Sequence, residues 1–553
     1  MKLLTVLREG YGRADLARDA LAGLTVAIVA LPLAIAIAIA SGTTPDKGIL
    51  TAVVAGFLIS ALGGSRVQIG GPTGAFIPIV YAIILRQGYD GLVLATLMAG
   101  LMLMIAGAAR LGTLMKYMPQ PLITGFTAGI AVIIFTSQLA ELLGLHAPGL
   151  PAEFLPKLAA LLAARDSVNP AALAVAAGTI GLIALLGRYA PRWPGFLLAI
   201  VAAALAVQVL GLPVATVGSR FGELPLALPV PALPVVSLAR LAELLPDAFT
   251  IAFLAGIESL LSAVVADGMI GSRHRSNTEL VAQGVANCAS ALVGGLPATG
   301  AIARTATNVR AGGRTPVAGM CHALFLLAFL IVAGPLVAWV PLAALAGVLA
   351  VVAWNMSERE RFAGLLRAPR GDAAVLLVTF GLTVLVDLTL AIEVGVVLAA
   401  LLFMHRMAGV VQIASHTPLL DETENGEGEE LGTDAAQRNA LPPGVEVFRV
   451  SGPLFFGVAS RLDEVVDQFR DNPRVFILRT RLVPMMDASG VHALRSLAAR
   501  CAKRGVHLVL SGLQPQPLEV LATMGFEPVP GKVTFVADYG AAIVLARSLV
   551  ARP

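Results

Sequence analysis

Between residues 19 and 407 the chain alternates apolar runs, long enough to cross or partly cross a bilayer, with short polar breaks. A full crossing takes about 20 apolar residues in a helix, because lipid leaves no other partner for the backbone N–H and C=O groups. Fourteen runs can be counted, starting near residues 20, 48, 72, 91, 120, 170, 194, 246, 278, 299, 315, 339, 373 and 389. Only 13% of the residues are charged, against about 25% in a soluble domain. Most of the surface therefore does not face water. The apolar mass is mainly Ala, Leu, Val, Ile and Gly, whose small members let membrane helices approach closely. The run Leu21–Ser41 follows Lys2, Arg8, Arg13 and Arg18 and lacks a small-residue cleavage site. It reads as a retained first span rather than a signal peptide.

Loop charge tests this count. With the N-terminus placed in the cytoplasm and loops assigned alternately, eighteen Lys and Arg fall inside and six outside. That asymmetry is what the positive-inside rule requires. An even number of spans returns the tail to the cytoplasm, so both termini are expected inside an inner (plasma) membrane. The net charge of +4 is spread over loops and gives no sign of nucleic-acid binding. Cys288, Cys321 and Cys501 have no metal-ligand spacing, and no nucleophile triad or nucleotide loop suggests an enzyme.

The chain also repeats itself. Ser60-Ala61-Leu62-Gly63-Gly64 recurs as Ser290-Ala291-Leu292-Val293-Gly294-Gly295, and Thr73-Gly74-Ala75 as Thr299-Gly300-Ala301, at offsets of 230 and 226 residues. Seven spans separate the copies, so the repeat is expected to be inverted in the membrane. Each copy carries a Gly/Pro break followed by a short helix, Phe76–Leu85 and Ile302–Val309. A helix that begins in mid-membrane leaves unpaired N–H groups and a positive dipole end. Two such ends facing one another make an anion site without a fixed charge, with Thr73 and Thr299 adding hydroxyls. The alternative is a kink that serves packing only.

Glu258 is the one acid in the middle of the long apolar run Phe249–Gly268, with Asp267 at its very end. A charge at a helix centre costs roughly 2.5–3.5 kcal/mol on insertion scales, so Glu258 is expected to face a cavity and bind a proton. Ser262 lies one turn later on the same face. A carboxyl bonded between helices is the structural alternative. Arg304, one turn into the second broken helix, either neutralises a bound anion or snorkels to the interface beside Arg310 and Arg314. Glu393, Asp387 and Asp267 lie near span ends and read as structural or interfacial.

After Arg406 the character changes. Residues 408–443 contain an acidic stretch from Asp421 to Asp434 that cannot bury a core and reads as a linker. In 444–553, Val445–Phe456, Val475–Leu482 and Val506–Leu513 read as strands. Ala459–Arg470, Ser489–Lys503 and Pro515–Met524 read as helices of a small α/β domain.

These residues resemble the sulfate permease (SulP) family of anion transporters over nearly the whole chain. The match is carried by Asp19-Ala20-Leu21-Ala22-Gly23-Leu24 with Pro32, and by Gly63–Ala75, Glu258–Gly271, Asn277–Asn308 and Val352–Glu358. The resemblance implies an α-helical polytopic protein of fourteen segments in two inverted seven-segment halves, as in uracil-permease-like carriers. It puts Thr73, Gly74, Ala75, Gly300, Ala301, Ile302 and Arg304 at the substrate site, and Leu33 and Ile37 in its wall. Glu258 falls on the acidic coupling position. Sodium-coupled bicarbonate members carry Asp there, and Ile302 stands where a Thr ligand would be, which favours a proton over sodium. Ala301-Ile302-Ala303-Arg304 and Ala353-Trp354-Asn355-Met356-Ser357 look most like C4-dicarboxylate members.

The tail resembles a sulfate transporter and anti-sigma factor antagonist (STAS) domain through Gly452-Pro453-Leu454-Phe455-Phe456 and Asp487-Ala488-Ser489-Gly490. Ser489 holds the position phosphorylated in stand-alone relatives, but at a helix start its expected role is to cap the helix, with a regulatory role as the alternative. The expected function is proton-coupled symport of a small anion of the sulfate, C4-dicarboxylate or bicarbonate class, without a cofactor. The expected assembly is a homodimer, with a cytoplasmic regulator acting on the STAS domain. Sodium-coupled symport, exchange or channel-like conduction, and an anion sensor signalling through the tail are the alternatives.

Overall fold

The computed structural model describes residues 1–113, 118–147, 149–191, 193–222, 236–410, 412–415, 442–455 and 473–551, with residues 231, 462 and 469 between them. They fall into two compact units, residues 1–399 and 400–553.

The first unit is helical. After α1 (Lys2–Glu9) come α2 (Arg13–Ala40), α3 (Pro45–Leu62), α4 (Ile77–Ala108), α5 (Gln120–Leu143) and α6 (Phe154–Ala163). Then follow α7 (Pro170–Tyr189), α8 (Gly195–Leu210), α9 (Val217–Phe221), α10 (Leu238–Ile270), α11 (Ser276–Leu292) and α12 (Ile302–Arg310). The last are α13 (Pro316–Val337), α14 (Leu342–Met356), α15 (Arg359–Leu366), α16 (Arg370–Leu385) and α17 (Leu388–Val410). Helices start where the sequence offers proline in the first turn, as at Pro45, Pro121, Pro170 and Pro316. They stop at left-handed glycines, Gly144, Gly211 and Gly271.

Gly88, at φ 70°, interrupts α4 and makes two segments of it. With α4 counted twice, α2–α5, α7, α8, α10–α14, α16 and α17 supply the fourteen segments, seven in each inverted half. Seven described helices are long and apolar enough to cross a membrane on length and composition alone. The rest include short segments such as α12, which are shortened by the breaks.

The halves interleave. One bundle combines α2–α4 with α10–α13, and the other combines α5 and α7 with α14 and α16. Small residues set the spacing in the first. A Cβ added at Gly48 of α3 would lie 2.0 Å from the carbonyl oxygen of Ala34 on α2, and one at Gly284 of α11 would lie 2.5 Å from Gly100 O on α4. Gly48→Val is therefore expected to destabilise the protein by at least ~3 kcal/mol, the upper range of overpacking. A thermal-aggregation midpoint in detergent would show it.

In the second unit the sheet order is β3 (Gln412–Ser415), β4 (Val445–Ser451), β5 (Val475–Leu482), β6 (His507–Ser511), β7 (Val533–Val536). β3 joins antiparallel and the others pair in parallel. The sheet thus recruits four residues from the stretch read as linker. The helices are α18 (Ala488–Lys503), α19 (Pro515–Thr523) and α20 (Tyr539–Val550). Alternate residues bury on opposite faces: Phe448, Phe476 and Leu508 on one, Val447, Ile477 and Val509 against Ile543 on the other. All of the expected helix Ala459–Arg470 except residues 462 and 469, the acidic stretch and Phe456 lie outside the described residues.

Candidate functional site

The two breaks meet. β1 (Gly70–Gly71) pairs antiparallel with β2 (Thr299–Gly300), Gly70 opposite Gly300 and Gly71 opposite Thr299. Side chains from both halves lace this crossing. Thr305 Oγ1 accepts from Ile69 N at 3.1 Å, and Asn308 Nδ2 donates to Val67 O at 2.8 Å. Asn287 both donates to Ala298 O and accepts from Ala298 N at 2.8 Å, and Thr51 Oγ1 accepts from Leu296 N at 2.6 Å. Irregular backbone inside a membrane protein is stable only when its polar groups are paired in this way.

The pairing also corrects the register of the repeat. A two-fold through the directly opposed Gly70 and Gly300 makes these two residues equivalent, 230 positions apart. The Ser60/Ser290 match has the same offset. The Thr73/Thr299 match at 226 does not. Thr299 lies in its strand, whereas Thr73 follows its own. The hydroxyls are thus unlike in placement.

They also share a role not visible in the sequence, because both donate to α10. Thr73 Oγ1 donates to Glu258 Oε2 at 2.9 Å, and Thr299 Oγ1 donates to Ala255 O at 2.7 Å. Neither the single helical turn Gly74–Phe76 that precedes α4 nor the start of α12 at Ile302 has a side-chain cap. Phe76 N donates to Thr73 O at 3.2 Å, while the N–H groups of Gly74, Ala75 and the first turn of α12 have no intrahelical acceptor.

Arg304 does not snorkel. It is only 3% exposed, and its Nη2 donates to Pro72 O at 2.8 Å across the crossing. Nη1 is equally buried and has no hydrogen-bond partner among the described residues. Arg304 and Glu258 therefore hold consecutive residues, Pro72 and Thr73, of one break. Gly74 faces the second bundle; an added Cβ would come within 3.4–3.7 Å of Met356, Ile134 and Val352. Ala75, Leu33 and Ile37 are buried in the cluster that contains Ile134, while Ile302 is 41% exposed. Ser262 is not bonded to Glu258; its hydroxyl pairs with Thr305 Oγ1 at 3.1 Å.

Two cavities flank the crossing. One, of about 790 Å3, touches α2 at Ile39 and Ala40 and α4 at Ile77 and Pro78. The other, of about 1050 Å3, touches α2 at Thr25, Ile28 and Val29 and α12 at Thr307. Leu33 and Ile37 lie between these two stretches of α2.

Several buried polar residues escaped sequence reasoning. Glu279, fully buried, accepts from Gly64 N at 2.7 Å, Ser65 N at 3.1 Å, Gln283 Nε2 at 3.0 Å and Ser259 Oγ at 3.3 Å. Gln68 Nε2 reaches the same Ser259 Oγ at 3.1 Å. The residue after Glu258 is thus anchored to both halves. The available signal was three amide or acid side chains, Glu279, Gln283 and Asn287, at four-residue spacing on α11. Glu279→Ala should strand two backbone N–H donors and cost at least ~2 kcal/mol, read as a lowered thermal midpoint. Asp19, also fully buried, accepts from Arg314 N at 3.0 Å and from the Thr315 hydroxyl at 2.5 Å, tying α2 to α13. Asp267 holds the α10–α11 turn through His274, 2.7 Å from Nδ1, and Asp387 caps α17 through Thr389 N at 3.1 Å. Both acids serve local structure. In the tail, Asp487 and not Ser489 caps α18, accepting from Gly490 N at 2.8 Å. Ser489, one residue inside the helix, is half-buried.

Known proteins resemble this chain in sequence and in fold. Residues 16–379 match the Sulfate permease family and residues 439–540 the STAS domain. The putative sulfate transporter YvdB of Bacillus subtilis is 42% identical over 95% of this chain and 97% of its own length. The bicarbonate transporter BicA of Picosynechococcus is 32% identical over 80% of this chain and 79% of its own. The solved structure of murine Solute Carrier 26 family member A9, in the inward-facing state, superposes with a TM-score of 0.84 over 99% of this chain and 94% of that one. At 18% identity that likeness bears on the fold alone. Matched along most of its helical unit and through its tail, this multi-pass membrane protein belongs to the sulfate permease family.

Proposed function

We propose that the chain is a secondary active transporter that carries a small anion together with a proton. The grip of two opposite charges on one break supports this reading most: Arg304 donates to Pro72 O, and Glu258 accepts from Thr73 Oγ1. Among the described residues no carboxylate lies within ion-pair distance of Arg304. A buried charge without such a partner is costly.

Ionised Glu258 offsets that charge across the break and draws the Thr73 hydroxyl proton to itself. Protonated Glu258 offsets nothing. Its O–H can donate to Thr73, whose own proton is then free to turn toward a ligand. Proton uptake thus creates an anion site, and a bound anion favours proton uptake in equal measure. The N–H groups in the turn before α4, around Gly74 and Ala75, and at Ile302 at the start of α12 are the contacts proposed for the anion; the Ala301 N–H donates to Ile69 O at 2.9 Å and holds the crossing instead. Thr299 and Gly300 shape the strand beneath them, and Leu33 and Ile37 form the apolar wall. Ser262 acts through Thr305 by fixing α12. Ile302 brings no oxygen ligand to the coupling position, which favours a proton over sodium.

The substrate belongs to the sulfate, C4-dicarboxylate or bicarbonate class. Relatives named for sulfate and bicarbonate support the outer members of that set. The sequences Ala301–Arg304 and Ala353–Ser357 support dicarboxylates. Backbone dipoles read charge more than shape, so a competition-uptake panel of the three anions in sodium-free proteoliposomes is the test. Accumulation driven by an inward proton gradient is expected for at least one of them. Binding without flux for all three would overturn transport and favour a sensor.

We place both termini in the cytoplasm on the loop-charge asymmetry, with residues 19–407 as the transport body and the STAS domain as the contact for a homodimer or a regulator. Ser489, in the first turn of α18 and free of the capping role, is the residue proposed for regulatory phosphorylation.

A further inference from the structure

The cavity of about 790 Å3 contains a basic group that the coupling scheme leaves unused. Lys157 of α6 lines it and is only 4% exposed. Lys157 and Leu161, one turn apart, are the buried residues of this helix, so helical register turns the lysine inward. Its ammonium stands 5.1 Å from the centroid of the Tyr81 ring. Tyr81 is fixed in turn by its hydroxyl, which donates to Leu150 O at 2.8 Å. A lysine at a helix surface ordinarily snorkels to water; this one does not.

Among the described residues, no carboxylate lies within ion-pair distance of Lys157. Glu153, four residues earlier, is exposed. The other charged groups on the wall are Arg220 and Glu141, which pair with each other. The His146 side chain also lines the wall. The wall therefore has one cation in excess.

We propose that this cavity is a second anion site, a staging site in which Lys157 holds the same class of small oxyanion or carboxylate before it reaches the crossing. The identity of the ligand rests on the transport reading; the site itself rests on Lys157. Ile77 and Pro78 line the same cavity, at the start of α4 and directly after the turn that carries Gly74. An anion leaving Lys157 thus meets the α4 helix start within one continuous space. By the loop-charge assignment this is the outer side. A cation there raises the local anion concentration by electrostatic focusing.

The test uses Lys157→Cys in full-length protein in which Cys288, Cys321 and Cys501 are replaced by Ala. Uptake of radiolabelled sulfate, bicarbonate and succinate is measured before and after the thiol is modified with a 2-aminoethyl or a 2-sulfonatoethyl methanethiosulfonate reagent. The unmodified variant is expected to show a KM raised about tenfold with its maximal rate retained, the low end of focusing effects. Restoring the cation should return KM toward the starting protein, and adding the sulfonate should raise it further. Equal effects from both reagents, or no change in KM with either, would overturn the proposal. Equilibrium binding of the same anions to Arg304→Gln protein separates the two readings. Lys157-dependent binding that persists without any flux upholds the staging site even if the transport reading fails. Its absence from a starting protein that does transport removes the staging site alone.

Discussion

Glu258→Gln in proteoliposomes should abolish proton-driven accumulation while leaving anion exchange intact. The amide is permanently neutral and can still hydrogen-bond Thr73, so it imitates the protonated carboxyl of the proposed symport state. Arg304 then has no ionised partner across the break, and the anion site stands open at every pH. The unaltered protein should lose uptake as external pH rises and Glu258 ionises, whereas the variant should show a flat profile. The size of the effect follows from linkage. One pH unit is about 1.4 kcal/mol, which supports about tenfold accumulation of a monoanion moved with one proton. The variant should equilibrate at unity. An unchanged pH profile would take Glu258 out of coupling. Thr73→Val provides a second arm: it removes the relay but not the carboxyl, so it should weaken anion affinity at low pH.

The second large effect belongs to Arg304. Arg304→Gln should raise the anion KM by about 10- to 100-fold, the range of one lost charge-assisted interaction of ~1.5–3 kcal/mol. Arg304→Lys keeps the charge but not the planar fork that reaches Pro72 O while leaving Nη1 free. It should recover only part of the loss. Uptake kinetics with fixed internal pH measure both. If Arg304→Gln lowers the maximal rate and leaves KM unchanged, Arg304 is a brace for the β1–β2 crossing and not the source of the field.

Much of this architecture was readable in advance because lipid imposes a simple rule. A backbone that cannot bond to solvent must be helical, so hydropathy and the positions of Pro and Gly predict where segments begin and end. The segment starts at 45, 120, 170 and 316 carry proline in the first turn for that reason. Glu258 stood out as an acid in an apolar run. Glu279 did not, because Ser276, Asn277, Gln283 and Asn287 surround it with other polar residues. Only its burial beneath the Gly64–Ser65 turn reveals an anchor. Arg304 was legible as a charge near the break but not in direction. Snorkelling and burial fit its position in the sequence equally well, and the choice depends on the distant carbonyl of Pro72.

The sequence by itself determined the helical membrane fold, its division into inverted halves, the α/β tail, and the two Gly/Pro breaks with an acid and a base nearby. These follow from local composition and periodicity, which each segment carries alone. Only the tertiary structure decided the register of the repeat, the donation of Thr73 to Glu258, the inward turn of Arg304, and the burial of Lys157 against Tyr81. Each of these joins residues 76 to 232 positions apart. Hydrogen bonds and charges at that separation have no local signature, because their partners are chosen by packing.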